Sequence, residues 1–319
     1  MLAASLREPD SPPPAPCRRL ALKVDVSTYL GTIEGVPRLV EALRRHHANA
    51  TFLFSLGPDH TGRGIRRMLR RGFARKPNHT SVLEHYGMRT LLYGTLLPGP
   101  DIGKRCADTM RMVADLGFEV GVHAWDRTRW QNDVMAADAD WTSVQMQRAR
   151  ERFEEIFGAP PRVHGAAGWQ MNVHGYRLTQ RLGFDYCSDT RGFRPFIPVF
   201  NAELVACPQI PTTLPTCDEL IGRDATTAED FDDKLIAAAA LDLPAGHVFT
   251  LRAELEGRKL LAIFERLLSR WKDQGKTFLS LGEYIAAAGR SDLPRHAVVH
   301  GTVPGAIGTL ALQGAEFLL

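Results

Sequence analysis

The chain has no Cys-x-x-Cys pair, although it holds five cysteines, at positions 17, 106, 187, 207 and 217. An odd number at these spacings indicates neither a disulfide framework nor a zinc finger, and a reducing cytoplasm is the default expectation. No run approaches the ~18 consecutive apolar residues of a spanning helix. The first sixteen residues lack an apolar core and carry Pro12-Pro13-Pro14, so no secretory signal is expected. Charge of one sign is also missing overall: the formal net charge is +3, which gives no bulk signal for nucleic acid. What is present is ordinary globular chemistry, 44% hydrophobic and 24% charged over 319 residues. That length fits two domains, or one α/β barrel of roughly 250 residues.

The order of elements favours the barrel. Leu20–Val26 is an apolar run of strand length, and Gly35–His46 follows with helical spacing at Val36, Leu39, Val40 and Leu43. Strand-like runs recur at 50–55, 118–122, 162–166, 184–187, 204–210, 247–251 and 277–279. Helical patterns over 106–116, 139–157, 173–182, 228–240 and 260–272 lie between them. Strands alternating with helices predict a parallel α/β sheet or barrel. The expected division is a Pro-rich disordered tail over 1–18, one barrel over 19–290, and a C-terminal tail over 291–319. The Gly-rich residues after Pro294 have no legible structure.

In such barrels chemistry sits where strands end. Those positions carry Asp25 and Ser27, His123 with Trp125 and Asp126, Trp169, Asp189 with Arg191, and Arg252 with Glu254. One polar residue at a strand end commonly caps a loop or a helix. Several together predict a polar pocket, with Trp125, Asp126 and Trp169 as substrate-binding candidates. A second feature lies at 62–76, where Arg63, Arg66, Arg67, Arg70, Arg71, Arg75 and Lys76 occur without an acid. Ile65, Met68, Leu69 and Phe73 share one helical face there. A basic amphipathic helix predicts contact with a membrane surface or lipid phosphate. Nucleic acid is not expected, because interleaved surface aromatics are absent.

The motifs in order resemble the polysaccharide deacetylase (NodB-homology) superfamily. Within it they look most like the 4-deoxy-4-formamido-L-arabinose-phosphoundecaprenol deformylases of lipid A modification. The resemblance runs from about Leu20 to Gly305. It rests on Lys23-Val-Asp-Val26, Gly31-Thr-Ile-Glu-Gly-Val-Pro-Arg38, Gly121-Val-His-Ala-Trp-Asp126, Ser188-Asp-Thr-Arg-Gly192, Gln209-Ile-Pro-Thr-Thr-Leu-Pro-Thr216 and Ala253-Glu-Leu-Glu-Gly257. It implies a distorted (β/α)7 barrel and hydrolysis of a formamide or acetamide on a lipid-linked amino sugar. It also implies a divalent metal (zinc, manganese or cobalt) and a peripheral place at the cytoplasmic face of the inner membrane. Asp25 matches the family's general base and His123 its first metal histidine. Asp189 and Arg191 match the motif that supports the base.

Three positions depart from that pattern. Ser27 stands where the family keeps a metal-binding Asp, Arg127 where it keeps the second metal His, and Arg252 where it keeps the acid His. Arginine does not ligate metals and stays charged. With Asp25 facing Arg127 and Arg252, the pocket is expected to be net positive without an ion. Arg127 is then free to occupy the vacated position and pair with Asp25. Asp126 and Glu254 are the substitutes at hand for a ligand and an acid. Two readings stay open: a metal-dependent deformylase, or a metal-free pocket that binds an anionic glycolipid or sugar phosphate without turnover.

Overall fold

The computed structural model describes residues 17–64, 88–220, 230–290, 292–306 and 308–317. Its centre is β1 (Arg19–Val26), which pairs in parallel with β2 (Thr51–Ser55) on one side and with β8 (His247–Arg252) on the other. β3 (Glu119–Ala124), β4 (Val163–His164) and β5 (Tyr186–Cys187) extend the sheet beyond β2, and β9 (Thr277–Leu279) also pairs with β1. Every pairing is parallel, so the strands are covered on both faces and seven of the eight β1 residues are buried. The expected α/β alternation is therefore the architecture: a curled parallel sheet wrapped by helices.

Period-two alternation sorts the side chains of β1. Leu20, Leu22, Val24 and Val26 enter the large cluster that meets the helices, with Val36, Leu39 and Leu43 of helix Val36–Arg45 and Phe264, Leu267 and Trp271 of helix Leu261–Asp273. Ala21 belongs to a separate inner cluster with Leu53, Val163 and Ile210. Lys23 and Asp25 share the face of Ala21, so the sequence aims both into the interior of the curl.

Between β5 and β8 the curl is closed by an irregular segment rather than a strand. The Cys187 amide donates to the Pro208 carbonyl, Ile210 N–H to Cys187 and Thr212 N–H to Thr190. At the next residue, Thr213 N–H donates to the Val248 carbonyl, and the Val248 amide returns to the Thr213 hydroxyl. The strand expected over 204–210 is thus divided. Leu204 pairs in a second sheet, and Gln209 bridges Cys187 and Phe196. That sheet has the order β11-β10-β6-β7, built from β6 (Ile197–Phe200), β7 (Glu203–Leu204), β10 (Arg295–Gly301) and β11 (Leu310–Glu316). The residues after Pro294 therefore form an antiparallel pair.

A close approach fixes the loop after β1. A Cβ on Gly35 would lie 2.0 Å from the Ala253 carbonyl oxygen, and one on Gly31 would lie 2.5 Å from Glu254 Oε1. Only glycine lets the turn 31–35 press on the end of β8, and this contact brings Ser27 and Thr28 over Glu254. Among the described residues no helix is long and apolar enough to cross a membrane.

Candidate active site at the carboxyl ends of the strands

Lys23 is fully buried, with Nζ 3.5 Å from Asp25 Oδ1, 3.1 Å from the Ser188 carbonyl oxygen and 5.2 Å from the centre of the Trp169 ring. An apolar interior tolerates an ammonium only when it is paired. Burial lowers the Lys23 pKa, and the Asp25 and Asp189 charges oppose that shift. Burial likewise raises the Asp25 pKa, with Lys23, Arg252 and Arg127 pulling the other way. The Asp25 Oδ1 atom is sealed from solvent, while the side chain keeps 7% exposure. Asp25 therefore reaches the pocket through what remains of its carboxylate.

His123, at the end of β3, is held at both ring nitrogens. Its Nδ1–H donates to the Gly165 carbonyl at 2.8 Å, which leaves the Nε2 lone pair facing the Ser27 hydroxyl at 3.4 Å. Burial, together with the Lys23 and Arg127 charges, pushes its pKa well below the usual histidine value, so the ring is neutral. Glu254 Oε1 accepts the Ser27 and Thr28 amides, both at 2.7 Å, whereas its Oε2 is buried without a hydrogen-bond partner. Burial raises the Glu254 pKa, with the nearby Arg127 among the groups that oppose it.

Arg252 lies at the end of β8 and pairs with Asp218 at 3.0 Å. Arg127 is half-buried and makes no ion pair among the described residues. The expected Arg127–Asp25 pair is therefore absent, and Lys23 is the cation that Asp25 keeps. The expected net positive pocket is corrected as well. Lys23, Arg127 and Arg252 face Asp25, Glu254 and Asp218, which balances the charge.

Just behind Arg252, Glu256 accepts the Arg252 amide at 2.7 Å and the Cys217 thiol. Burial pushes its pKa up to about 7. A carboxyl whose folded pKa exceeds its unfolded one stabilises the fold below about pH 4.5 and loses that contribution as pH rises to 7. Glu256→Gln is therefore expected to gain stability relative to the native chain as pH rises from 5 to 8. The gain has an upper bound of about 3 kcal/mol by 1.36 kcal/mol per pKa unit. Urea midpoints at both pH values check this, and an equal shift at both would contradict it.

Asp189 and Arg191 stand one layer away from Asp25. Asp189 Oδ1 accepts His164 Nδ1–H and the Ala166 amide, both at 2.7 Å, and Oδ2 accepts Gln209 at 3.0 Å. Burial alone would raise the Asp189 pKa, but these donors hold it below the usual carboxylate value. Arg191 pairs with Glu219 and stacks over Trp169 at 4.9 Å. Both residues thus act on the pocket through Trp169 and Lys23. Trp125 packs on Gly57 and Arg152, and Asp126 bonds His60 at 2.6 Å while capping helix Arg127–Asp133 through the Arg129 amide. Of the basic segment, Arg63 donates to the Gly94 carbonyl, and Arg66, Arg67, Arg70 and Arg71 lie outside the described residues.

The family's metal does not fit the residues at its position. His123 Nε2 is ready to bind an ion, but its neighbours there are a neutral hydroxyl and a guanidinium, not the carboxylate and imidazole that divalent ions take. Among the described residues, the donor atoms of His164, Cys187 and Asp189 do lie within 4.8 Å of one another. That group is closed by its own hydrogen bonds. Both Asp189 oxygens are used, and the Cys187 thiol, its pKa pushed far up by burial, sits 3.5 Å from Cys207 Sγ. Sequence reading missed Lys23, His164 and Glu219. Lys23 and His164 each stand as a polar residue inside an apolar run, and Glu219 follows Asp218 at a helix start, where an acid reads as surface.

No family model matches the chain. A Shewanella sediminis protein named "Probable 4-deoxy-4-formamido-L-arabinose-phosphoundecaprenol deformylase ArnD" is 36% identical over 300 residues, covering 93% of this chain and 95% of the relative. A protein of the same name from Wigglesworthia glossinidia brevipalpis is 31% identical over 285 residues, covering 89% and 98%. A crystallised protein from Mycobacterium smegmatis, titled "putative polysaccharide deacetylase", superposes with a TM-score of 0.60 at 16% identity. That match covers 93% of this chain and 99% of the other, and it shows the shared fold.

Proposed function

The chain belongs to the 4-deoxy-4-formamido-L-arabinose-phosphoundecaprenol deformylase family, and from that premise we propose that it hydrolyses the carbon–nitrogen bond of a formamide on a lipid-linked amino sugar. The observation that carries the reading is Asp25: a carboxylate at the end of the central strand, paired on its inner side and open on its outer side. A water beside it gives up one proton to the carboxylate as its oxygen bonds the formyl carbon. The C=O π pair moves onto oxygen. When the intermediate collapses, the C–N bond breaks, the electron pair stays on nitrogen, and Asp25 returns its proton to the leaving amine. The products are formate and the free amino sugar. One group serving as base and then acid suits a site where Arg252 is tied to Asp218 and cannot donate a proton.

Trp125 is an apolar surface for the sugar in this reading, Trp169 is buried and backs Lys23, and Asp126 with His60 orients the wall that carries Arg127. The lipid tail stays in the membrane. The run of arginines at 63, 66, 67, 70 and 71 in the sequence, and a described turn that leaves Leu96 81% exposed, suit an anionic bilayer at the cytoplasmic face. The test uses the formamido-arabinose lipid in anionic vesicles. Formate and amine are expected in equal amounts, with the rate falling as salt screens the surface. A protein that binds these vesicles and releases no formate favours the second reading, binding without turnover, for which the loss of Asp, His and His at 27, 127 and 252 is the specific observation.

A further inference from the structure

Three facts about the pocket point one way. The first is its donor set. His123 Nε2 faces only the Ser27 hydroxyl at 3.4 Å, and the next residue due at a metal is Arg127. The second is its charge. Lys23, Arg127 and Arg252 already balance Asp25, Glu254 and Asp218, so a divalent ion would leave the group at +2. The third is the freedom of one cation. Lys23 is held by Asp25 and Ser188, and Arg252 by Asp218, whereas Arg127 makes no ion pair among the described residues and is half-buried. Arg127 is the first residue of its helix, directly after the Asp126 cap, so its root is fixed. Its charge is felt at Asp25, at His123 and at Glu254 alike.

We propose that Arg127 takes over the electrostatic work of the metal ion in this chain, and that the site operates without a divalent cation. The inference rests on the hydrolase reading for the role it gives Arg127. A guanidinium offers forked N–H donors and a charge that no relevant pH removes. Placed against the formyl oxygen, it stabilises the oxyanion formed when water adds. It does not acidify water as a metal does, so Asp25 takes the whole proton in that step. Glu254 Oε2, buried without a hydrogen-bond partner, and Asp25 supply the negative field that holds the guanidinium at the pocket before substrate enters.

Two measurements test this, and they fail separately. The first is zinc titration against a chromophoric chelator for the native chain, His123→Ala and the double variant Ser27→Asp/Arg127→His. The native chain and His123→Ala are expected to match, which also sets aside any zinc taken by His164, Cys187 and Asp189. The double variant is expected to gain one equivalent, bound at least ~100-fold tighter, by restoring a three-donor set. One equivalent in the native chain that His123→Ala abolishes overturns the proposal, whatever the activity.

The second measurement is formate release with and without 1,10-phenanthroline. The native rate is expected to stay within about twofold. Arg127→Ala is expected to lower kcat by ~100-fold to ~1000-fold, the usual loss for an oxyanion donor, with little change in KM. Arg127→Lys should recover part of that loss. Inhibition by the chelator overturns the metal-free proposal and leaves the hydrolase reading standing. No formate from any variant, the zinc-loaded double variant included, overturns the hydrolase reading, and the titration still decides the metal question.

Discussion

Replacing Asp25 with asparagine is expected to cut formate release by about a thousandfold, within the range for a lost general base. Asparagine keeps the shape of the side chain and removes both the charge and the proton-accepting oxygen. It also leaves Lys23 buried without its carboxylate, at a depth where an unpaired charge costs ~3–5 kcal/mol. A drop in activity could then reflect a loosened fold. The companion variant Lys23→Met/Asp25→Asn removes both charges and fills the space with an apolar chain of similar length. It is expected to recover most of the stability lost in the single variant and none of the activity. Urea unfolding and formate release on the same samples separate the two effects. Activity within tenfold of native for Asp25→Asn would remove Asp25 from the chemistry.

The positions that sequence reading found were those where local grammar and chemistry coincide. Asp25, His123 and Arg252 each end an apolar run, and a strand end in a parallel sheet is a place where a polar side chain meets the pocket. Lys23 was hidden because one lysine in an apolar run reads as the solvent side of a strand. Only the curl shows that its face points inward, to Ser188 on the far wall. The Arg252–Asp218 pair joins residues 34 positions apart on different elements, and no spacing rule reaches that far. That pair, with Glu254 and Lys23, is why a charge count from Asp25, Arg127 and Arg252 alone came out positive where the site is balanced. The alternation of strands and helices was legible because burial on both faces makes parallel strands apolar throughout. The closing segment 208–214 and the strands β10 and β11 were not. Their residues are fixed by hydrogen bonds to distant backbone, which leave no periodic pattern in the chain.

That closing segment carries the second large prediction, because one side chain holds it from three directions. Arg191 pairs with Glu219, donates Nη2–H to the Leu214 carbonyl at 2.9 Å and Nε–H to the Thr212 carbonyl at 3.3 Å. Its backbone joins β11, with its amide on Ala311 and its carbonyl receiving the Gln313 amide. Arg191→Met removes the guanidinium and leaves Glu219 2% exposed with only the Thr216 amide on its carboxylate. A buried pair broken on one side loses ~3–5 kcal/mol, and a urea midpoint measures it. Arg191→Met/Glu219→Gln is expected to regain a substantial part, since no buried charge is then left alone. A loss below about 1 kcal/mol in the single variant, the range of an exposed pair, would mean that the seam is held elsewhere. The same variant bears on catalysis without touching the substrate. Thr212 Oγ1 accepts Trp169 Nε1–H at 3.2 Å and bonds Thr250 at 2.7 Å, and Trp169 is the ring on which Lys23 rests. Loosening the seam frees Trp169, then Lys23, then the carboxylate of Asp25. Formate release by Arg191→Met is therefore expected to fall at temperatures where the protein is still folded, and Arg191→Lys, which keeps the charge near Glu219, should restore part of it.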